Sequence, residues 1–226
     1  MTPGQPLIRW DWIASNADEI ALRVGEHVLL TGIAVGAGFA IAFAVSLLVL
    51  RVPALEQPAT FVTGTLYTIP SLALFALLVP YTGLTIVTAE IGLIGYTLLI
   101  LIRNIVGGIR SVPGDISESA LGMGYTPLQV LWRIELPVAL PVIVAGIRIA
   151  TITTIGLVTV TALIGQGGLG FLILIGIQRF FSTPLIVGAT LSIALAVAVD
   201  AALVLAQRAL TPWSRAVAAT AGAKTA

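Results

Sequence analysis

Apolar residues along this chain fall in long unbroken blocks, not in alternating or short amphipathic patterns. Residues 28–50 run for 23 positions without a charge. A helix needs about 20 apolar residues to cross a hydrocarbon core, so this block predicts a first membrane span. Residues 59–79, 86–102, 138–164 and 185–206 predict four more. The fourth block has 27 residues, about 40 Å of helix against a core of about 30 Å, and is expected to tilt or protrude. The predicted fold class is an all-α integral membrane protein with five transmembrane helices.

Interruptions inside the blocks carry the next layer of information. Ile69-Pro70-Ser71 breaks the second span. A proline there frees a backbone carbonyl that a neighbouring helix or water must satisfy, so a kink is expected. Gly32 and Gly36 form a small-xxx-small pair, which predicts close approach of another helix. Glu90 lies about four residues from the turn at 80–85, and snorkelling to the interface is its expected state. Arg148 and Asp200 lie about 16 and 11 Å deep from the same end of spans four and five. They are a candidate ion pair pinning those spans together. Gln166-Gly167-Gly168-Leu169-Gly170 reads as a tight turn. It is not a nucleotide-binding loop, because no Gly-Lys-Ser/Thr follows and no strand precedes it. Residues 171–183 are expected to form a short interfacial segment.

Composition agrees with lipid as the solvent. Of 226 residues, 58% are hydrophobic and 9% charged, where soluble domains carry roughly 25% charged residues. The net charge of +1 identifies no partner, and the absence of a basic patch interleaved with aromatics argues against nucleic acid. The chain has no cysteine and one histidine, so neither thiolate chemistry nor a histidine-based metal site is expected. His27 reads as a hydrogen-bonding residue at the membrane interface. Residues 1–27 place Arg9, Trp10, Asp11, Trp12, Asp18 and Glu19 before any apolar run. That is unlike a cleavable signal, and the tryptophans suit a membrane interface. A short surface helix is expected over 17–26. The domain reading is an N-terminal interfacial segment (1–27), a membrane domain (28–206) with a polar loop at 111–137, and a tail (207–226) disordered at its end.

The polar loop is the most informative stretch. Gly124 and Pro127 bracket a break between helix-compatible residues, so a short helix, a turn and a second short helix ending at Pro137 are predicted. Leu128, Leu131 and Trp132 give the second piece an apolar stripe. The order Glu118-Ser119-Ala120, three residues, Gly124, nine residues, Ile134, one residue, Leu136-Pro137 resembles the coupling motif of importer-type ATP-binding-cassette permeases. That motif reads Glu-Ala-Ala, three residues, Gly, nine residues, Ile, one residue, Leu-Pro; only Ser119 departs, small for small. The resemblance implies that Glu118, Ser119, Ala120, Leu121, Gly122, Met123, Gly124, Tyr125, Ile134, Leu136 and Pro137 form a cytosolic coupling element between spans three and four, docking on an ATPase. Further stretches resemble the osmoprotectant branch of that family, whose substrates include glycine betaine, carnitine and choline. They are Ile69-Pro70-Ser71-Leu72-Ala73-Leu74, Tyr96 with Arg103-Asn104, Leu136-Pro137-Val138-Ala139-Leu140-Pro141, Ala145-Gly146-Ile147-Arg148, and Ala162 to Gly170. Methionine-type permeases share the five spans and a similar glycine-rich turn.

The resemblance implies a complex of two permease chains, as homodimer or heterodimer, with a cytosolic ATPase dimer and an extracytoplasmic substrate-binding protein. It implies no cofactor in this chain; ATP-Mg would bind the partner ATPase. The expected location is a bacterial or archaeal-type plasma membrane. If the coupling loop is cytosolic, Arg51, Arg103, Arg110, Arg133, Arg208, Arg215 and Lys224 lie inside, and Arg9, Arg23 and Arg179 outside. This excess obeys the positive-inside rule, with the N-terminus outside and the C-terminus in the cytosol. A secondary carrier is the alternative from another class; it would need mid-membrane polar groups and usually internal repeats, and no repeat is evident. An intramembrane enzyme finds no support, since His-Glu-x-x-His and Gly-x-Ser-x-Gly are both absent. No substrate-contacting residue is assigned from the sequence.

Overall fold

The computed structural model describes residues 6–212, and the expectation for the extreme C-terminal tail lies outside them. The described residues are helical throughout, apart from short turns. In chain order the helices are α1 (Trp10–Ser15), α2 (Ala17–Arg51), α3 (Glu56–Thr68), α4 (Ser71–Thr82), α5 (Ile86–Arg110), α6 (Gly114–Gly122), α7 (Pro127–Val130), α8 (Leu136–Thr161), α9 (Leu169–Gln178) and α10 (Ser182–Leu210). A 3₁₀ turn precedes α3, and another follows α8. Among the described residues, four helical stretches are long and apolar enough to cross a membrane. They are Ala17–Arg51, Ile86–Arg110, Pro127–Ile164 and Ser182–Leu210. The pair α3–α4, bent by 97° at its break, makes a fifth if counted as one span.

The column at the centre is α5, which packs against both α2 and α8. Small residues make the first contact close. Gly38 of α2 faces Thr97 so tightly that a Cβ on Gly38 would stand 2.0 Å from the Thr97 hydroxyl oxygen. Gly32 and Gly36, the pair expected to receive a helix, have nothing within 4 Å of their Cβ positions. The close helix contact on α2 falls instead at Gly38, which is outside that pair. On the other side, Gly146 of α8 leaves room for Asn104, and Gly108 of α5 lies against Val142.

Two apolar clusters fill the bundle. One, nearer the N-terminal end, joins Leu30, Ala34, Phe75, Ala89, Leu93, Val158 and Ile164. The other, nearer the 111–137 stretch, includes Ala42, Val49, Leu101, Ile105, Ala139 and Ile143. Burying such side chains contributes about 25 cal/mol per Å² where the alternative is water. In lipid, close packing and interhelical polar contacts matter more. The outermost helix, α10, is largely exposed and is held chiefly through α9. There Gly188 admits the Leu169 carbonyl, and Gly176 admits Leu185.

Three boundaries differ from the sequence reading. The helix expected over 17–26 is not separate; α2 runs unbroken from Ala17 to Arg51. Pro137 does not end a helix either. Residues Leu131–Glu135 form a π-turn, and the chain continues into α8 with Pro137 in its first turn. The π-turn accommodates the proline, whose missing N–H falls where the wider bonding, Leu136 N–H to the Leu131 carbonyl, hands over to the ordinary helix pattern. The third span extends past residue 102 to Arg110.

Candidate functional site

At one end of this apolar bundle, α6, α7 and the π-turn stand out as a polar hairpin. Its first helix ends in a glycine-dependent cap. Gly124 has φ +90°, a left-handed conformation that L-residues with a Cβ avoid. The Tyr125 N–H reaches back to the Ala120 carbonyl at 3.2 Å, and the Gly124 N–H to that of Leu121 at 2.9 Å. This paired reversal satisfies carbonyls that would otherwise be orphaned. It also explains why a small residue stands at 120: Ala120 is buried beneath the turn. The second helix begins with a capping box. The Thr126 hydroxyl accepts the Gln129 N–H, and the Gln129 carbonyl oxygen accepts the Thr126 N–H at 2.8 Å. Pro127 supplies the preset first helical residue. The Thr-x-x-Gln spacing is the signal that could have found this box, which the sequence reading did not single out.

The candidate coupling residues divide into two groups. Glu118, Ser119, Leu121, Gly122, Met123 and Gly124 are exposed around the end of α6, with Tyr125 partly covered. Met123 stands 72% exposed, an apolar side chain in the open at the tip of a turn. Ile134, Leu136 and Pro137 lie at the π-turn and the start of α8, partly covered; Leu136 packs on the nearby apolar cluster. A hydrogen bond from Ser117 Oγ to Glu135 Oε1 at 3.0 Å ties α6 to the π-turn. Neither of those two residues was singled out by the motif. Between the hairpin and the ends of α2 and α5 lies a groove of about 980 Å³, lined by Leu47, Leu50, Ile109, Leu121, Trp132 and others.

Arg148 and Asp200 meet. The guanidinium donates from Nε to Oδ1 at 2.9 Å and from Nη2 to Oδ2 at 3.1 Å. Gln207 extends the contact, accepting from Arg148 and donating to the Pro141 carbonyl at 3.3 Å. This two-pronged geometry is what makes arginine suited to a carboxylate in a medium of low dielectric. It joins α8 to α10.

At the opposite end of the bundle, α2 holds the glycine-rich turn. Gly165 and Gly168 both have positive φ, 76° and 70°. The Gly168 N–H donates to Glu26 Oε2 at 2.9 Å, and the Leu169 N–H to His27 Nδ1 at 3.2 Å. These are the first amides of α9, so Glu26 and His27 cap that helix from a distant part of the chain. Because Nδ1 accepts, the imidazole proton sits on Nε2, which donates to the Ile155 carbonyl at 3.0 Å. His27 is therefore a fully buried joint between α2, α8 and α9, hydrogen-bonding as expected but enclosed by protein. Arg23, paired with Glu19 and Glu26, lies 3.8 Å over the Phe171 ring. The segment after the turn is thereby packed as α9. Nearby, Arg9 donates to Asp11, which lowers the pKa of that carboxyl.

Glu90 departs from its expected state. It is buried, and neither carboxylate oxygen has a hydrogen-bond partner among the described residues. Its position in the helix turns it toward the bundle, beside the buried Ala89 and Leu93.

The chain matches the family described as binding-protein-dependent transport system inner membrane component over residues 29–212. It is 36% identical over 201 residues to the choline transport system permease protein OpuBB of Bacillus subtilis, covering 89% of this chain and 93% of that protein. It is 33% identical to the glycine betaine/carnitine/choline transport system permease protein OpuCB of the same organism, covering 89% and 93%. It is 36% identical to the osmoprotectant import permease protein OsmW of Salmonella typhimurium, covering 89% and 96%. Among solved structures, the inward-facing MetNI methionine ABC transporter matches with a TM-score of 0.74 at 24% identity, covering 85% of this chain and 96% of that one. An amino acid ABC transporter matches with 0.70 at 17%, covering 89% and 98%. At such identities the likeness is one of fold.

Proposed function

The chain belongs to the family of binding-protein-dependent inner membrane transport components, and on that premise we propose that it is the permease of an ATP-driven osmoprotectant importer. Its substrate is glycine betaine or a related quaternary ammonium compound, the class named for its relatives. The observation that carries the coupling role is the exposed hairpin α6–α7, a capped polar projection on an otherwise apolar bundle. Glu118 to Tyr125 dock on a separate cytosolic ATPase, which binds ATP-Mg; Ile134, Leu136 and Pro137 root the hairpin in α8. A second permease chain completes the membrane unit, and an extracytoplasmic binding protein delivers substrate. The hairpin faces the cytosol, the N-terminus lies outside, and transport is a two-state rocking biased by nucleotide.

The test is ATP-dependent uptake of radiolabelled glycine betaine and choline by proteoliposomes holding the co-expressed complex with its binding protein. Uptake of both is expected. Methionine uptake with neither of these would replace the substrate class, and ATP-independent uptake would overturn the importer reading. Orientation is checked separately. Since the native chain has no cysteine, Trp10→Cys should react with an impermeant maleimide in intact cells, and Met123→Cys only after permeabilisation. The opposite pattern refutes the topology.

A further inference from the structure

The seam between α3 and α5 carries a line of polar and aromatic groups from the helix break toward the hairpin end. On α3, Glu56, Thr60, Thr63 and Tyr67 recur at i, i+4, i+7 and i+11, which is one face of a helix. On α5, Tyr96, Arg103 and Arg110 recur every seven residues along the facing side. The pairs match in an antiparallel register. Arg110 bonds Glu56 at 2.7 Å at one end. Thr60 and Arg103, with Gly107, line a cleft of about 250 Å³ in the middle. Tyr67 and Tyr96 meet at the other end, ring centroids 5.8 Å apart and nearly perpendicular at 71°. Lipid would not favour such a face, and a helix that presents it inside a membrane lines protein or a polar route.

The tyrosine pair sits at the break itself. Tyr96 Oη donates to the Ile69 carbonyl, at the break between α3 and α4. Gly95 lets the helices close, since a Cβ there would stand 2.8 Å from Leu66. Tyr96 is thus buried and fixed, and it holds Tyr67, which remains 38% exposed. The Tyr67 hydroxyl makes no hydrogen bond within the described residues. By position, Tyr96 is about 15 Å along α5 from Ile86, near mid-membrane. The C-terminal end of α3, with its outward carbonyls, points at the same place and favours positive charge.

Choline, glycine betaine and carnitine share a trimethylammonium group; choline has no carboxylate. A route serving all three must therefore recognise the cation. We propose that Tyr67, braced by Tyr96 and the end of α3, forms the permease's own way-station for the quaternary ammonium group, at the head of the α3–α5 seam. The aromatic face attracts the cation through its quadrupole. This assignment rests on the substrate reading above. It supplies the permease contact that no cluster of aromatics in the sequence revealed, because residues 67 and 96 lie on different helices and meet only through the packing of α3 on α5.

The experiment uses the complete reconstituted complex with its binding protein, and glycine betaine and choline as probes. Tyr67 is replaced by phenylalanine and then by phenylalanines of increasing ring fluorination, which weakens the quadrupole at nearly constant shape. Substrate moved per ATP hydrolysed is expected to survive Tyr67→Phe within about twofold. It should then fall stepwise, reaching a loss of about two- to thirtyfold for an ordinary cation–π contact. Tyr67→Leu should match the fully fluorinated ring in substrate moved per ATP hydrolysed. A flat fluorination series in a complex whose wild type imports betaine overturns the tyrosine assignment alone. A wild type that imports neither probe overturns this proposal together with the substrate class.

Discussion

Gly124 offers the sharpest test of how the hairpin is built. Its φ of +90° is imposed by the reversal that returns the Tyr125 and Gly124 amides to α6. No atom lies within 4 Å of a Cβ built there, so a side chain meets no neighbour and the cost is backbone strain alone. A left-handed conformation costs an L-residue about 1–2 kcal/mol, less for Asn, more for a β-branched residue. Gly124→Asn, Gly124→Ala and Gly124→Val should therefore lower coupled uptake in that order. The population of the native turn should fall about 5- to 30-fold for Ala if the turn is otherwise marginal. The assay is ATP-dependent betaine uptake by the reconstituted complex, with thermal unfolding of the isolated permease alongside. The bundle's melting point should hardly move, because the turn lies outside both apolar clusters. Equal activity across Asn, Ala and Val would refute the conformational argument. A fall that follows side-chain volume and ignores φ preference would place the effect in contact with the partner instead.

Other outcomes follow from the same geometry. Neutralising Arg148 or Asp200 alone should cost about 1–3 kcal/mol, since each side chain is about a third exposed and a partner is stranded. The double variant Arg148→Met with Asp200→Leu should regain most of it, measured as thermal stability in nanodiscs; additive losses would show no coupling. Gly38→Ala should destabilise by about 1–3 kcal/mol through overpacking on Thr97, while Gly36→Ala should be neutral or slightly stabilising; equal effects would contradict the α2–α5 contact. Replacing the unpartnered Glu90 by Leu should raise thermal stability by about 1–3 kcal/mol; a large loss would reveal a partner for the carboxylate.

Block hydropathy was enough to locate the long helices, because lipid demands uninterrupted apolar runs with all backbone groups bonded internally. What it could not locate were rotations about the helix axes. Gly32, Gly36 and Gly38 lie within two turns of α2, and only the last faces α5. Glu90 lies near a turn by sequence, yet its azimuth buries it. His27 likewise sits at the start of an apolar block, and its two partners are 128 and 142 residues away. Whether Arg148 and Asp200 pair depends on the rotation of two helices, which a depth estimate does not contain. The hairpin's break was more readable, since turns are local chemistry: Gly124 and Pro127 each have a fixed backbone role, while the Thr126–Gln129 box carried an equally local signal that was not singled out. Its far boundary was not, because proline signals a stop unless a π-turn widens the helix just before it.

That widened turn has a mechanical consequence. From Pro127 to Ile164 the chain is one helical stretch of 38 residues, about 57 Å long. One end carries the hairpin, the middle carries Arg148, and the other end abuts the glycine-rich turn that Glu26 and His27 hold. No slack loop separates them to absorb displacement. Where the π-turn and Pro141 do not bend it, the stretch is a lever, and a tilt of about 5° imposed at one end carries the other through about 5 Å. That is close to one helical turn, the stroke at which packed helices change neighbours.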